Sequence, residues 1–316
     1  GRYGFVVAGD GVPLQLYELD RTGRLVDAAE EAGIDVAAQA RALGVVPLLS
    51  NRPDLYVVAS GAPNLLFRNL GDGTFEEVGA SLQVSDGLQH GCAVAVLDAD
   101  GDGLFDLVIG NRPGANRLFL NRALGFFENA PPELAQPSRV GTVVAADFDN
   151  DGNEELFFAN MGERNRLFAW RAGRWTEMDI GDAAEPRGMS SAAAVADVDG
   201  DGRLELLVAH GAGAPHPLAF FHALPNANAW LRVLPMTPYG APARGAMVSC
   251  VAAGRTQRRV LCCGQGAACQ MEPVAHFGLS EVTSVDRVEV VWPDGMVAVI
   301  ERPPVGRLLP VPYPPL

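Results

Sequence analysis

The sequence predicts an all-β protein: a β-propeller of about five four-stranded blades followed by a small antiparallel β domain. Three observations carry this expectation. Turn formers are abundant, with 36 glycines and 23 prolines among 316 residues, which favours many short elements over long helices. The apolar residues fall into short runs separated by turn residues, the pattern of strands. One motif, an acidic loop between two such runs, returns at intervals of 49 and then 50 residues. Units of that length, each unable to bury its own faces, stack as propeller blades.

The first unit reads Phe5-Val-Val-Ala-Gly-Asp-Gly-Val-Pro-Leu-Gln-Leu-Tyr17. It starts at what is the second strand of the later units, so the ring either closes with a strand borrowed from elsewhere or residues are missing upstream. Residue 1 is Gly rather than Met, with no basic-then-apolar leader behind it, so the chain reads as processed or truncated. Residues 35–43 form the one stretch that reads as a helix, short and placed on the rim between units one and two. Unit two follows as Tyr56-Val-Val-Ala-Ser-Gly-Ala-Pro-Asn-Leu-Leu-Phe-Arg-Asn-Leu-Gly-Asp-Gly-Thr-Phe75. Its loop is cut to Ser50-Asn-Arg-Pro-Asp54, too poor in acids to close around an ion.

Units three to five carry the full acidic loop: Asp98-Ala-Asp-Gly-Asp-Gly-Leu-Phe-Asp106, Asp147-Phe-Asp-Asn-Asp-Gly-Asn-Glu-Glu155 and Asp197-Val-Asp-Gly-Asp-Gly-Arg-Leu-Glu205. In D-x-D-x-D-G-x-x-[DE], side chains at positions 1, 3 and 5 turn towards one point and glycine at 6 permits the reversal. Position 7 then offers its carbonyl, and the carboxylate at 9 completes a shell of hard oxygens suited to calcium. The candidate ligands are therefore Asp98, Asp100, Asp102, Leu104 and Asp106; Asp147, Asp149, Asp151, Asn153 and Glu155; and Asp197, Asp199, Asp201, Arg203 and Glu205. About three calcium ions are expected, each tying the first strand of a blade to the second. The loops are not EF-hands, because the twelfth positions are Ile109, Phe158 and Val208 and strands flank them.

Charge narrows the function classes. With 38 acids against 24 bases the net charge is −14, which disfavours nucleic acid and anionic lipid and favours cations. No apolar run is long enough to span a bilayer as a helix. The five cysteines, Cys92, Cys250, Cys262, Cys263 and Cys269, lack zinc-site spacing. They fit one or two disulfides, for instance Cys250 with Cys262 or Cys263 and the other with Cys269, or else reduced and buried thiols. His210 and His216 lie near the third acidic loop but read as rim residues, since calcium prefers oxygen. Cys269 and His276 could pose as a thiol dyad, yet no nucleophile motif such as G-x-S-x-G occurs, so no catalytic residue is assigned. Arg112, Arg117, Arg164 and Arg166 follow the acidic loops and are placed to pair with surface carboxylates.

From Trp230 onward the pattern is again strand and turn, over residues 231–234, 246–252, 258–262, 287–292 and 296–301. Pro293-Asp-Gly295 forms a tight hairpin turn. The tail, with Pro303, Pro304, Pro310, Pro312, Pro314 and Pro315, cannot join a sheet interior and should lie extended on a surface.

On these residues the chain resembles a known family. The three acidic loops, the tripeptides Gly61-Ala-Pro63 and Gly213-Ala-Pro215, and Leu65-Leu-Phe-Arg-Asn-Leu-Gly-Asp-Gly-Thr-Phe75 are similar to FG-GAP/VCBS repeats. Asn228-Ala-Trp-Leu231, Gly245-Ala-Met-Val248, His276-Phe-Gly-Leu279 and Val285-Asp-Arg-Val-Glu-Val-Val-Trp-Pro-Asp-Gly295 are similar to the ASPIC/UnbV domain that follows such repeats in the cartilage acidic protein family. The resemblance implies a propeller over 1–225, an ASPIC/UnbV-like domain over 226–302 and a Pro-rich tail over 303–316. It also implies an extracytoplasmic, calcium-bound, non-catalytic protein. Integrin-type propellers have seven blades against the five units here, and no EGF-like module follows the last domain. The expected role is a binding or scaffold subunit whose partners are other protein subunits or matrix components. Adhesion to matrix or glycan, and a hydrolase or lyase with an axial pocket, are the alternatives.

Overall fold

The computed structural model describes residues 4–87, 89–122, 124–185, 187–211, 217–262 and 269–315. The chain opens with β1 (Gly4–Val7), β2 (Asp10–Pro13), β3 (Gln15–Leu19) and β4 (Leu25–Asp27). Strands β1, β3 and β4 form the first antiparallel sheet, and β2 leaves it to become an edge of the second. After one helical turn, α1 (Ala29–Ala32), the second sheet adds β5 (Ala37–Val46), β6 (Asp54–Ala59), β7 (Leu65–Asn69) and β8 (Phe75–Glu77), in the order β2-β5-β6-β7-β8. The third holds β9 (Gly91–Leu97), β10 (Asp106–Asn111), β11 (Arg117–Asn121) and β12 (Phe126–Glu128). A second short helix, α2 (Pro132–Ala135), leads to β13 (Val140–Ala146), β14 (Glu155–Asn160), β15 (Arg166–Arg171) and β16 (Arg174–Met178). The fifth sheet holds β17 (Ser190–Ala196), β18 (Glu205–His210) and β19 (Ala219–Phe221).

These five sheets are the five units of the propeller. Only the third and fourth have the four strands expected of every blade. The second gains β2, and the first and fifth have three among the described residues.

Strands β6, β9, β10, β13 and β14 have no polar face because each is buried on both sides, and alternate residues serve two different cores. In β6, Leu55 and Val57 pack with Leu14, Leu16 and Ile34 of the first unit, while Tyr56 and Val58 pack with Val94, Leu107 and Ile109 of the third. In β14, Leu156 and Phe158 face Ala95, Val108 and Leu118 of the third blade, while Phe157 and Ala159 face Val195, Leu206 and Val208 of the fifth. Every apolar core of the propeller therefore lies between two blades. Each fully buried aromatic or aliphatic side chain in it contributes about 1.5–3 kcal/mol of transfer free energy.

The expected helix over 35–43 is instead β5. Ala38, Ala40 and Ala42 are buried and Ala37, Gln39 and Arg41 exposed, a period of two. Alanine's high helix propensity suggested a helix; pairing with β2 and β6 on either side overrode it. The helical turn lies earlier, at α1, and ends at Gly33, whose φ of 75° suits a left-handed cap.

The C-terminal domain comprises β20 (Ala229–Pro235), β21 (Met247–Ala252), β22 (Arg255–Val260), β23 (Ala275–Ser280), β24 (Arg287–Val291), β25 (Val297–Glu301) and β26 (Leu308–Val311). They form two sheets, β23-β20-β26 and β22-β21-β24-β25. Leu231, Val233, Val248, Phe277, Val290 and Trp292 fill a shared core. The pairing is antiparallel except that β26 runs parallel to β20. The tail thus contributes an edge strand, the position where Pro310 costs no ladder bond inside a sheet. Cys250 is buried in this core and unbonded, with burial pushing its thiol up to about 12. The expected disulfide from Cys250 is therefore not formed; Cys263 lies outside the described residues.

Candidate calcium sites

The three acidic loops join β9 to β10, β13 to β14 and β17 to β18, the same connection in three blades. Their backbones share one hydrogen-bond scheme. The N–H of position 6 donates to the position 1 carboxylate: Gly103 to Asp98 at 3.0 Å, Gly152 to Asp147 at 2.9 Å, Gly202 to Asp197 at 3.1 Å. The N–H of position 5 donates to position 3, so Asp102, Asp151 and Asp201 donate to Asp100, Asp149 and Asp199. The N–H groups of Leu104, Asn153 and Arg203 at position 7 donate to Asp102, Asp151 and Asp201 at 2.7–2.9 Å. The N–H of position 2 donates to position 9: Ala99 to Asp106, Phe148 to Glu155 and Val198 to Glu205. These bonds curl each loop so that its carboxylates face inward.

Three groups result whose ligand atoms lie within 4.8 Å of one another: Asp98, Asp100 and Asp106; Asp147, Asp149 and Glu155; Asp197, Asp199 and Asp201. A fourth, overlapping group brings Asp199 and Glu205 together with His222. Positions 1 and 3 thus converge in all three loops and position 9 joins them in the first two, while Asp102 and Asp151 face arginines. Arg122 reaches Asp100 and lies 3.0 Å from Asp102. Arg171 reaches Asp149 and lies 2.7 Å from Asp151 and 3.3 Å from Glu155. Sequence reasoning missed both, although Asn121-Arg122 and Trp170-Arg171 keep the 49-residue period of the loops. In the fifth unit Arg203 pairs with Asp201 of its own loop, and His222 lies 3.4 Å from Glu205.

Burial pushes the carboxyls of Asp106 and Asp147 up to about 7 and that of Glu155 up to about 9, and neighbouring loop carboxylates push further in the same direction. Desolvation likewise raises Asp98 and Asp149. Gathered, half-dehydrated acids of this kind call for a cation. Asp147 is 1% exposed, and its Oδ1 is buried with no hydrogen-bond partner while its Oδ2 accepts from Gly152. An orphaned carboxylate oxygen beside two further acids fits a hard divalent ion.

The small domain lies directly on these loops. The Gly278 N–H donates to Asp147 Oδ2 at 3.0 Å and the Ser280 N–H to the Asn150 carbonyl at 2.8 Å. Arg255 donates to the Gly152 carbonyl at 2.9 Å, Arg258 to that of Gly103 at 2.7 Å, and Arg232 to Asp197 Oδ2 at 2.8 Å. Between the two layers is a cavity of about 90 Å³ lined in part by Asp147, Glu154, Arg232, Cys269 and His276. His276 Nε2 pairs with Asn150 Oδ1 at 2.6 Å, and Nδ1 has no hydrogen-bond partner. Cys269 Sγ lies near Thr142 Oγ1 and the Ala193 N–H instead, so the two residues share a cavity without forming a hydrogen-bonded dyad.

His210 pairs with Glu185 at 2.9 Å and with the Pro217 carbonyl at 2.8 Å; His216 lies outside the described residues. Arg117 meets Asp86 and Glu128, and Arg164 and Arg166 share Glu177. Arg112 contacts the Met161 sulfur rather than the expected carboxylate.

Comparison with known proteins agrees with this anatomy. The FG-GAP-like repeat family matches residues 50–109, 98–158 and 147–208, and the ASPIC and UnbV family matches 237–315. Cartilage acidic protein 1 of Xenopus tropicalis is 38% identical over 94% of this chain and 50% of its own length. The Homo sapiens protein of that name is 38% identical over 93% of this chain and 49% of its own. This chain thus spans about half the length of the curated relatives it matches. Among solved structures, BBS1N in complex with ARL6DN covers 95% of this chain and 87% of its own at 12% identity, with a TM-score of 0.39. With three FG-GAP-like repeats, an ASPIC/UnbV match behind them and relatives of that name along most of its length, the chain belongs to the cartilage acidic protein-like family of FG-GAP repeat proteins.

Proposed function

We propose that this chain is a non-catalytic, calcium-stabilised docking unit that works outside the cytoplasm, binding other protein subunits or matrix components through its propeller rim. About three calcium ions would be held, with Asp98, Asp100 and Asp106, then Asp147, Asp149 and Glu155, then Asp197, Asp199, Asp201 and Glu205 supplying carboxylates. Leu104, Asn153 and Arg203 would offer carbonyls. The observation that carries the reading is the buried, unpartnered Oδ1 of Asp147 at the head of a loop whose hydrogen-bond scheme is repeated in two other blades. Calcium supplies +2 charge at each cluster and fixes the first two strands of its blade to one another. The relatives are named for cartilage and for acidity, and this chain shares the acidity with a net charge of −14. The test is retention of the purified chain on immobilised matrix proteins. Retention should require calcium and be lost in chelator and in Asp149→Asn. Retention indifferent to both would contradict the reading.

A further inference from the structure

Loop two is gripped by the small domain along nearly its whole length. Besides the Gly278 and Ser280 bonds, Asn228 Nδ2 donates to the Asp149 carbonyl at 2.7 Å, and Arg255 donates to Asn153 Oδ1 at 2.7 Å. Asn150 is the junction. Its Oδ1 takes His276, and its Nδ2 donates to the Gly202 carbonyl of loop three at 2.9 Å. Contact is too close for any side chain in between. A Cβ on Gly278 would lie 2.2 Å from Asp147 Oδ2, and one on Gly202 would lie 1.8 Å from the Trp230 ring. Two candidate ion loops therefore present their outer surfaces to a second domain, which fixes Asp147 and Asp197 through groups that are not themselves ligands.

We propose that the small domain holds the second and third loops in their ion-binding shape, through Gly278 on Asp147 and Trp230 on Gly202, so that calcium binding and domain docking strengthen each other. This rests on the calcium reading above. Docking offers the Gly278 N–H to Asp147 Oδ2, which leaves the unpartnered Oδ1 for the ion, and the Arg232 guanidinium to Asp197 Oδ2, whose Oδ1 accepts from the Gly200 N–H of its own loop. Without an ion the loop acids repel one another, the carbonyls of Gly152 and Asn150 move, and the surface that receives β22 and β23 is lost. Linkage makes the effect reciprocal: whatever factor calcium adds to docking, docking adds to calcium affinity.

The test uses the full chain and calcium alone as the probe. Gly278→Ala drives a methyl into Asp147 and Asn150 without changing charge, and Gly278 itself lies outside the left-handed region. Trp230→Ala removes the ring over Gly202 from a half-buried position. Titration calorimetry should show one ion weakened by about tenfold in each variant, inside the usual span of roughly 5- to 150-fold for coupled sites. In the wild type, chelation should speed hydrogen exchange in β22 and β23. Three ions bound with unchanged affinity in both variants, or exchange in β22 and β23 indifferent to chelation, would overturn the coupling and leave the calcium reading standing. A wild-type chain that binds no calcium would overturn both.

Discussion

Position 4 of each acidic loop must adopt positive φ, with 77° at Gly101, 60° at Asn150 and 79° at Gly200. Asparagine tolerates that region better than other side-chain residues, and in loop two it adds the bridge to His276 and Gly202. Asp54 shows what the position 9 carboxylate does when the rest of the loop is deleted. It is buried and accepts from the N–H groups of Leu48, Leu49 and Asn69, as Asp106 accepts from Ala99 and Asn121. A carboxylate there therefore ties strands together in four blades, three of which add further acids around it. The raised carboxyls set a pH dependence. In the folded, metal-free chain Asp106 and Asp147 titrate near 7 and Glu155 near 9, whereas unfolded Asp and Glu titrate near about 3.9 and 4.3. The folded state holds more protons between those limits, so its stability falls as pH rises from about 4 to 9. Melting of the chelated protein should therefore move down between pH 6 and pH 9, and the rise produced by calcium should be larger at the higher pH. A chelated melting temperature that climbs over that interval would contradict these assignments.

At the scale of the element, the period-two sorting of residues into adjacent inter-blade cores makes single truncations local. Phe158 packs edge-on against Phe168 with ring centroids 5.6 Å apart in the core between blades three and four. Phe158→Ala should cost about 3–5 kcal/mol, read as a shift in the urea midpoint at unchanged slope. A loss below ~1 kcal/mol would mean that blade packing does not carry the fold. The strands of blades three and four were legible because two-sided burial writes continuous apolar runs bounded by acidic turns, and those of blade five because they repeat that pattern around a third acidic loop. Strand β5 was not, because its alanines carry helix propensity and its pairing with β2 arises from a strand exchanged between units. In the site, positions 1, 3 and 9 were legible as converging acids. Arg122 and Arg171 were not, since a search for ligands passes over cations; the 49-residue period that relates them was the available signal. The contacts of Arg232, Arg255, Arg258 and Gly278 join residues far apart in sequence and leave no local pattern.

At the scale of the whole molecule, the acidic connections of blades three to five and the face of the small domain form one layered junction. The loops supply carboxylates, the small domain supplies arginines and backbone donors, and the proposed ions lie within the loops between them. Three calcium ions would bring the formal net charge from −14 towards −8, easing the self-repulsion that a strongly acidic chain carries. The most direct measurement is thermal unfolding of the purified chain across a calcium titration, paired with the bound-ion count and with the double variant Asp100→Asn, Asp149→Asn. The account predicts about three ions bound, a melting temperature that rises with free calcium and falls on chelation, and a weaker response in the variant. An unchanged melting curve after chelation, with no ion retained, would contradict it.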